Sequence, residues 1–166
     1  VVGVSDDENA KVVSTILHAD GSGAKALYTA APGTGQGKMD FVDSEDVDAG
    51  RVHFRMDGKT VYENGVAGMS SAAAESLEAN GLTLDDIDIL IPHQANMRML
   101  EAVVEKVGID MEKVFVNVES YGNMASACLP IALDQARKTG RLNPGDTALL
   151  VAFGSGFVWA SALVKM

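Results

Sequence analysis

The residues best placed to do chemistry lie in the segment IPHQANMR, at residues 91–98. It follows an apolar run, DIDILI, that predicts a buried strand, and it precedes a helical pattern. His93 therefore falls at the carboxyl end of a strand, where open α/β sheets hold their ligands. A histidine at this point is either a working side chain or, in the plainer interpretation, a cap on the following helix.

The segment YGNMAS, at residues 121–126, repeats this arrangement after the predicted strand VFVNV. If neighbouring parallel strands carry the two segments, a neutral His93 and the amide of Asn123 project into one crevice. Together they could donate two hydrogen bonds to one oxygen, which is what an enolate or thioester oxyanion requires. The plainer alternative is that Asn123 only fills a turn.

Other reactive patterns are weaker. The segment APGTGQGKMD looks like a phosphate loop, but Pro32 and Met39 replace the first glycine and the hydroxyl residue that the motif needs, which favours a flexible loop. The three histidines form no short pair with each other or with a cysteine, so no metal site is expected. Ser155 lacks a nucleophile elbow, and Cys128 is predicted to be a small buried residue of a helix.

The elements that must position these residues alternate along the chain. Besides strand segments near residues 1–19, the pattern predicts strands at residues 87–92, 114–118, 147–154 and 157–164, the last two as a hairpin across GSG. Helices are predicted over residues 65–80, 96–107 and 124–140, each ending at a glycine. Pro130 should kink the third helix or lie in its first turn. Such alternation predicts a layered α/β fold in one domain, residues 1–166.

Buried and exposed faces follow from the spacing. In the second helix, the apolar residues return every three or four positions and form one stripe: Met97, Leu100, Val103, Val104 and Val107. In the third, the inward residues are predicted to be Ala125, Leu129, Ala132, Leu133 and Ala136.

Composition excludes several classes of protein. The chain has 166 residues, 47% of them hydrophobic, and a net charge of −10, which argues against nucleic acid and anionic membranes as partners. No apolar run reaches the roughly 20 residues of a membrane span. The single cysteine forbids an internal disulfide and indicates a reduced, cytoplasmic setting.

The acidic segment DFVDSEDVD predicts a solvated loop, with calcium binding as the alternative. The abrupt start at Val1 suggests a fragment.

One motif is PHQAN, at residues 92–96, and the other begins with GN at residues 122–123 and continues with Pro130 and the pair Ala132 and Leu133. Together they resemble the carboxyl-terminal half of β-ketoacyl-acyl carrier protein synthase III, a condensing enzyme of bacterial fatty acid synthesis. The segments STILHADG, MDGKTVYENGV and AFGSGFVWASALVKM are similar to the same family. The resemblance implies one half of a thiolase-like αβαβα fold, with a mixed central sheet flanked by helices. The amino-terminal half, which carries the nucleophilic cysteine in that family, is absent from this chain.

The resemblance also implies a chemistry. An acyl group passes from acyl-CoA, expected to be acetyl-CoA, to a cysteine, and malonyl-acyl carrier protein then loses carbon dioxide and attacks the thioester. His93 and Asn123 would be two of the three catalytic residues, donating to the malonyl thioester carbonyl. Cys128 is not at the family's nucleophile position, and no cofactor is implied, since CoA and phosphopantetheine thioesters are substrates.

Further residues take roles only through the resemblance. Gly58 and Tyr62 would line the substrate tunnel, and Asn96 would contact the pantetheine arm. The backbone N–H of Ser155 would complete an oxyanion hole, while Met124 stands where threonine is commoner. Acyl carrier protein would dock on five consecutive residues, with the arginine as the basic contact: Gln94, Ala95, Asn96, Met97 and Arg98.

Three functions stay open on the sequence. The first is initiation of fatty acid synthesis by a complete synthase, a homodimer in which each subunit contains this chain and its amino-terminal half. The chain alone is then expected to be inactive and prone to self-association. The second is a related condensing enzyme of polyketide or other secondary metabolism. The third is a non-catalytic half that binds carrier protein or acyl-CoA.

Overall fold

The computed structural model describes residues 10–32 and 42–166. Residues 1–9 of the predicted strand segments, most of the glycine-rich loop and the first two residues of the acidic segment, Asp40 and Phe41, lie outside these ranges, whereas the prediction of a strand before residue 19 is confirmed by β1. Within them, the strands are β1 Lys11–Ala19, β2 Leu27–Tyr28, β3 Arg55–Met56, β4 Ile89–Pro92, β5 Thr147–Gly154 and β6 Val158–Lys165. The α-helices are α1 Ser44–Asp48, α2 Gly58–Asn80, α3 Met97–Val107, α4 Val118–Tyr121 and α5 Cys128–Lys138.

A four-stranded mixed sheet forms the centre, in the order β1-β6-β5-β4. β4 runs parallel to β5, whereas β1, β6 and β5 are antiparallel neighbours. The predicted hairpin of the last two strands is confirmed. Parallel pairing puts the ends of β4 and β5 at the same edge of the sheet, and His93 is the first residue beyond β4.

Helices pack on both faces of this sheet, although Leu17 of β1 and Val158 of β6 stay exposed. Because successive strand residues point to opposite faces, Leu90 packs with one core cluster and its neighbours Ile89 and Ile91 with another. The first cluster lies under α2 and α3 and the second under α5. The predicted mixed α/β sheet flanked by helices is therefore confirmed.

Helix α2 begins earlier than the predicted residue 65. Asp57 caps it by accepting a hydrogen bond from the backbone N–H of Thr60, at 3.2 Å, and Gly81 ends it in a left-handed conformation with φ 64°. Gly68 inside the helix permits a close approach, because a Cβ there would stand 2.9 Å from the Trp159 ring. No helix in the described ranges combines the length and apolar character needed to cross a membrane.

The predicted strand at residues 114–118 is wrong. Only Val114 forms a bridge with Leu90, and the N–H of Phe115 donates to the Leu90 carbonyl at 2.9 Å. Beyond that point the backbone N–H groups of Asn117 and Val118 donate to the side chain of Gln94, and the chain turns into α4. The alternating apolar pattern predicts that strand pairing with β4 continues through residue 118, but hydrogen bonds to the Gln94 side chain take the place of that pairing.

The third predicted helix is shorter at its start. Residues Ala125–Ala127 form a 3₁₀ turn, and α5 starts at Cys128. Pro130 lies in the first turn of α5, where its missing N–H costs no helical hydrogen bond. Of the two alternatives predicted for Pro130, a kink or a place in the first turn, the second is confirmed. The prediction that Ala125 faces inward is wrong, because this residue is exposed.

The acidic segment is not simply a solvated loop. Residues Ser44–Asp48 form α1, and Asp43 and Asp46 form a reciprocal capping box at its start. Asp46 is buried and accepts a hydrogen bond from Arg51 Nε at 2.6 Å. Burial of this carboxylate is possible because the Arg51 guanidinium and the backbone N–H of Asp43 both donate to it. No group of metal-ligating side chains occurs in the described part of the chain.

Candidate active site

His93 is positioned by the sheet rather than by a helix cap. Its backbone N–H donates to the carbonyl of Val151 at 2.8 Å, which continues the β4–β5 pairing by one residue. The cap of α3 is instead Asn96, whose Oδ1 accepts from Met99 N at 2.9 Å. The plainer interpretation of His93 as a helix cap is therefore wrong.

The ring of His93 lies in a partly buried position. Burial lowers the pKa of His93 below its ordinary value of 6.5, because the charged imidazolium loses hydration. Within the described residues no hydrogen bond engages this ring. A neutral imidazole with a free N–H is the form suited to donate to an oxygen that gains negative charge.

This shift predicts how stability depends on pH. The unfolded chain takes up a proton on His93 near pH 6.5, while the folded chain does so only at lower pH. The stabilisation is thus complete above pH 6.5 and is lost as the pH falls towards the folded pKa. When the pH falls from about 7.5 to about 5.5, urea unfolding should show a larger loss of unfolding free energy for the unchanged protein than for the His93→Asn variant. Equal losses would contradict the assignment.

Asn123 follows α4 and is held by its own side-chain oxygen. Its Oδ1 accepts from the N–H of Ala125 at 2.9 Å, and Cys128 Sγ lies 3.8 Å from the same oxygen. Ala125 has a left-handed φ of 50°, which is unfavourable for alanine and marks a turn fixed by its surroundings. Since the oxygen is engaged, the Nδ2 group of Asn123 is left to donate. Asn123 thus holds a turn and also offers a donor.

Two cavities meet at these residues. One of 820 Å³ lies between the starts of α2 and α3, and one of 760 Å³ lies against β6 and the β5–β6 turn. His93 and Asn123 line both. The expected common crevice is therefore present, although the segment that leads to Asn123 is not a strand of the sheet.

Ser155 lies in the turn between β5 and β6 and lines the second cavity with His93 and Asn123. Its hydroxyl donates to the carbonyl of Leu27. This engagement leaves the backbone N–H as the group of Ser155 that can serve an oxyanion. Ser155 remains a backbone candidate.

The five residues expected to dock a carrier do not share one surface. Gln94 is completely buried, with all its amide hydrogen bonds made inside the protein, so its assignment to a docking surface is wrong. Asn96 and Arg98 are exposed, and Ala95 and Met97 are partly buried. The Arg98 guanidinium carbon lies 5.1 Å from the centre of the Tyr62 ring. Arg98, Tyr62, Asn96 and Gly58 all line the first cavity.

Cys128 is fully buried, as predicted. Its Sγ lies 3.1 Å from Met124 N and lines neither cavity that His93 faces. A thiol that no substrate can reach cannot act as a nucleophile.

Sequence patterns did not identify the apolar lining of the site. Leu27, Phe54 and Phe153 line both cavities beside the two polar donors. Phe54 is 65% exposed, so its ring presents apolar surface to solvent at the edge of both cavities. Its place between an exposed arginine and histidine gave no periodic signal.

Comparisons with known proteins point to one family and one fold. The family described as 3-oxoacyl-[acyl-carrier-protein (ACP)] synthase III C terminal matches residues 77–166. The β-ketoacyl-[acyl-carrier-protein] synthase III of Xanthomonas campestris is 41% identical over 162 residues, which cover 96% of this chain and 47% of the relative. The solved synthase III of Thermus thermophilus has a TM-score of 0.83 and 37% identity, over 96% of this chain and 47% of that one. A priming β-ketosynthase of a polyketide pathway has a TM-score of 0.79 and 33% identity, over 98% and 47%.

The sheet, its helices and the edge that carries His93 define one half of a thiolase-like condensing-enzyme fold. More particularly, the chain belongs to the β-ketoacyl-[acyl-carrier-protein] synthase III family and matches its carboxyl-terminal part. It spans about half the length of the curated relatives it matches.

Proposed function

We propose that this chain supplies the decarboxylation half of a synthase III active site. The observation that supports this most is the pair of donors, the neutral His93 ring and the Asn123 amide, which line the same two cavities and have no acceptor among the described residues. In a family of condensing enzymes, two donors at one place serve an oxygen that becomes an enolate.

The proposed reaction is a decarboxylation followed by a carbon–carbon condensation. The bond between the malonyl carboxylate and its α-carbon breaks, carbon dioxide leaves, and the electron pair spreads onto the thioester oxygen. His93 and Asn123 stabilise that oxygen through hydrogen bonds. The α-carbon then attacks an acyl thioester on a cysteine supplied from outside this chain, and the cysteine thiolate leaves. The N–H of Ser155 stabilises the oxygen of the tetrahedral intermediate.

The substrates proposed are acyl-CoA, expected to be acetyl-CoA, and malonyl-acyl carrier protein. Both present a long pantetheine thioester, and the 820 Å³ cavity has room for such an arm beside Gly58, Tyr62 and Asn96. No cofactor is needed, because decarboxylation itself drives formation of the carbon nucleophile.

The carrier is proposed to dock at the mouth of the first cavity. This chain carries a net charge of −10, so an acidic carrier needs a local basic contact. Arg98 and Lys59 both line that mouth, and Tyr62 supports the Arg98 guanidinium. The docking surface we propose consists of Lys59, Ala95, Asn96, Met97 and Arg98, without Gln94.

An amino-terminal synthase half is the proposed neighbour on the second cavity, in a complete enzyme that is a homodimer. Leu17 is 77% exposed and Val158 46% exposed there, which is costly for apolar side chains left in water. The chain alone should be inactive, because the nucleophile comes from that half.

The test is malonyl-thioester decarboxylation by this chain combined with an amino-terminal synthase half. His93→Ala should lower the rate by about 100- to 1000-fold, because one oxyanion donor is lost. The matched control is His53→Ala, since His53 is exposed and lines neither cavity. Full activity of His93→Ala would refute the proposed function.

Initiation of polyketide synthesis is a second candidate, favoured by the likeness to the polyketide priming ketosynthase over 98% of this chain. The reaction steps would be the same and the primer would differ. Comparing acetyl-CoA with longer acyl-CoA primers in the complete enzyme separates the two, since a fatty acid initiator is expected to prefer acetyl-CoA.

A further inference from the structure

Gln94 is the least exposed polar residue beside the site. It follows His93 directly, yet it is 0% exposed and lines neither cavity. A buried amide is tolerated only when its polar atoms are paired, because an unpaired group loses its hydration without compensation. The position of Gln94 therefore depends on the partners it finds.

All the bonds of this amide join two backbone segments. Its Nε2 donates to the carbonyls of Pro92 at 2.9 Å and Phe115 at 3.1 Å. Its Oε1 accepts from the N–H groups of Asn117 at 3.0 Å and Val118 at 3.1 Å. Gln94 thus connects the end of β4, which carries His93, to the segment that leads to Asn123.

A second link extends from the same residue to the Asn123 turn. Cys128 Sγ lies 3.9 Å from the Gln94 carbonyl and 3.8 Å from Asn123 Oδ1, and it accepts from Met124 N at 3.1 Å. The Asn117 side chain donates to Gln135 Oε1 at 2.8 Å, which ties the connected segment to α5. The two donor segments are therefore joined through buried polar contacts.

We propose that Gln94 is a positioning residue that sets the relative placement of the His93 and Asn123 donors. Backbone hydrogen bonding between β4 and the segment that leads to Asn123 stops after Phe115, and beyond that point the Gln94 side chain connects the two. The length of this side chain fixes the distance between them. The inference rests on the proposed function, since it concerns how two oxyanion donors reach one oxygen. Gln94 touches no cavity and acts only through its neighbours.

The test uses this chain combined with an amino-terminal synthase half. Gln94→Met keeps the side-chain length but removes every hydrogen bond. Misplaced donors should lower kcat for malonyl-thioester decarboxylation by about 10- to 100-fold, with KM changed by less than about twofold. The control is Asn80→Leu, which deletes the part-buried amide bonded to Ser14 and Ser76 at the opposite end of α2 and should leave kcat unchanged.

A double-mutant comparison separates positioning from general damage. In a His93→Ala/Asn123→Ala background, Gln94→Met should cost less than about twofold more, because the groups it positions are already gone. Release of labelled carbon dioxide measures these slow rates. An equal proportional loss in both backgrounds, or no loss in either, would overturn the proposal.

The outcomes distinguish this inference from the proposed function. If the His93 and Asn123 variants are fully active, the proposed function fails. If those variants lose activity and Gln94→Met does not, only the positioning role fails. Should Gln94→Met not fold, Gln94→Asn makes the same comparison, because its amide is one methylene too short to span the two segments.

Discussion

Replacing Asn123 with aspartate should lower the rate of malonyl-thioester decarboxylation by about 100- to 1000-fold, the effect of removing one oxyanion donor. Aspartate keeps the oxygen that accepts from Ala125 N–H, so the turn can persist. It loses the Nδ2 donor and adds a negative charge beside the developing enolate. Decarboxylation should be measured with the complete enzyme, at saturating malonyl thioester, so that kcat is read separately from binding.

The comparison with Asn123→Ala makes this test specific. If the donor matters and the turn does not, alanine and aspartate should impair the reaction alike, or aspartate more. Asn64→Asp is the matched control, because Asn64 is exposed on α2 and lines neither cavity of the site. An Asn123→Asp enzyme with normal kcat would show that this amide does not serve the oxyanion.

Replacing Leu90 with alanine should lower the free energy of unfolding by about 2 to 5 kcal/mol, the range for a buried leucine that leaves a cavity. Leu90 is 0% exposed at the centre of β4 and belongs to the core under α2 and α3. Its neighbours come from several elements and cannot all move in to fill the space. Urea unfolding of the two proteins measures the difference.

The matched control is Leu17→Ala, since Leu17 is 77% exposed on β1. An exposed leucine leaves no cavity, so the expected change is within about 0.5 kcal/mol. If both substitutions changed the stability equally, the core assignment of β4 would be wrong.

Local signals predicted most of the helices and strands. The three-and-four spacing between Met97 and Val107, followed by Gly108, predicted α3 within one residue. The apolar runs predicted β4, β5 and β6. These predictions succeed because side-chain periodicity and glycine caps act within a few residues of the chain.

Two failures occur where a side-chain contact overrides the local pattern. The alternation in VFVNV predicts a strand, but Gln94 takes the backbone N–H groups of Asn117 and Val118. Arg51 lies only five residues from Asp46 in the chain, yet its ion pair turns a segment that composition predicts to be solvated into one with a buried carboxylate. Such contacts depend on approach in three dimensions, which periodicity does not record.

The sequence by itself indicated the family, through its resemblance at PHQAN and YGN, and an α/β fold, through the alternation of strand and helix patterns, and it marked His93 and Asn123 as candidate donors. Tertiary structure decided which polar neighbour faces the cavity and which is buried. Gln94 stands next to His93 in the chain, yet β4 ends so that one side chain lines the cavities and the other lies wholly inside the protein. The reason is physical: hydrogen bonds from a distant segment satisfy the Gln94 amide, and only folding brings that segment near.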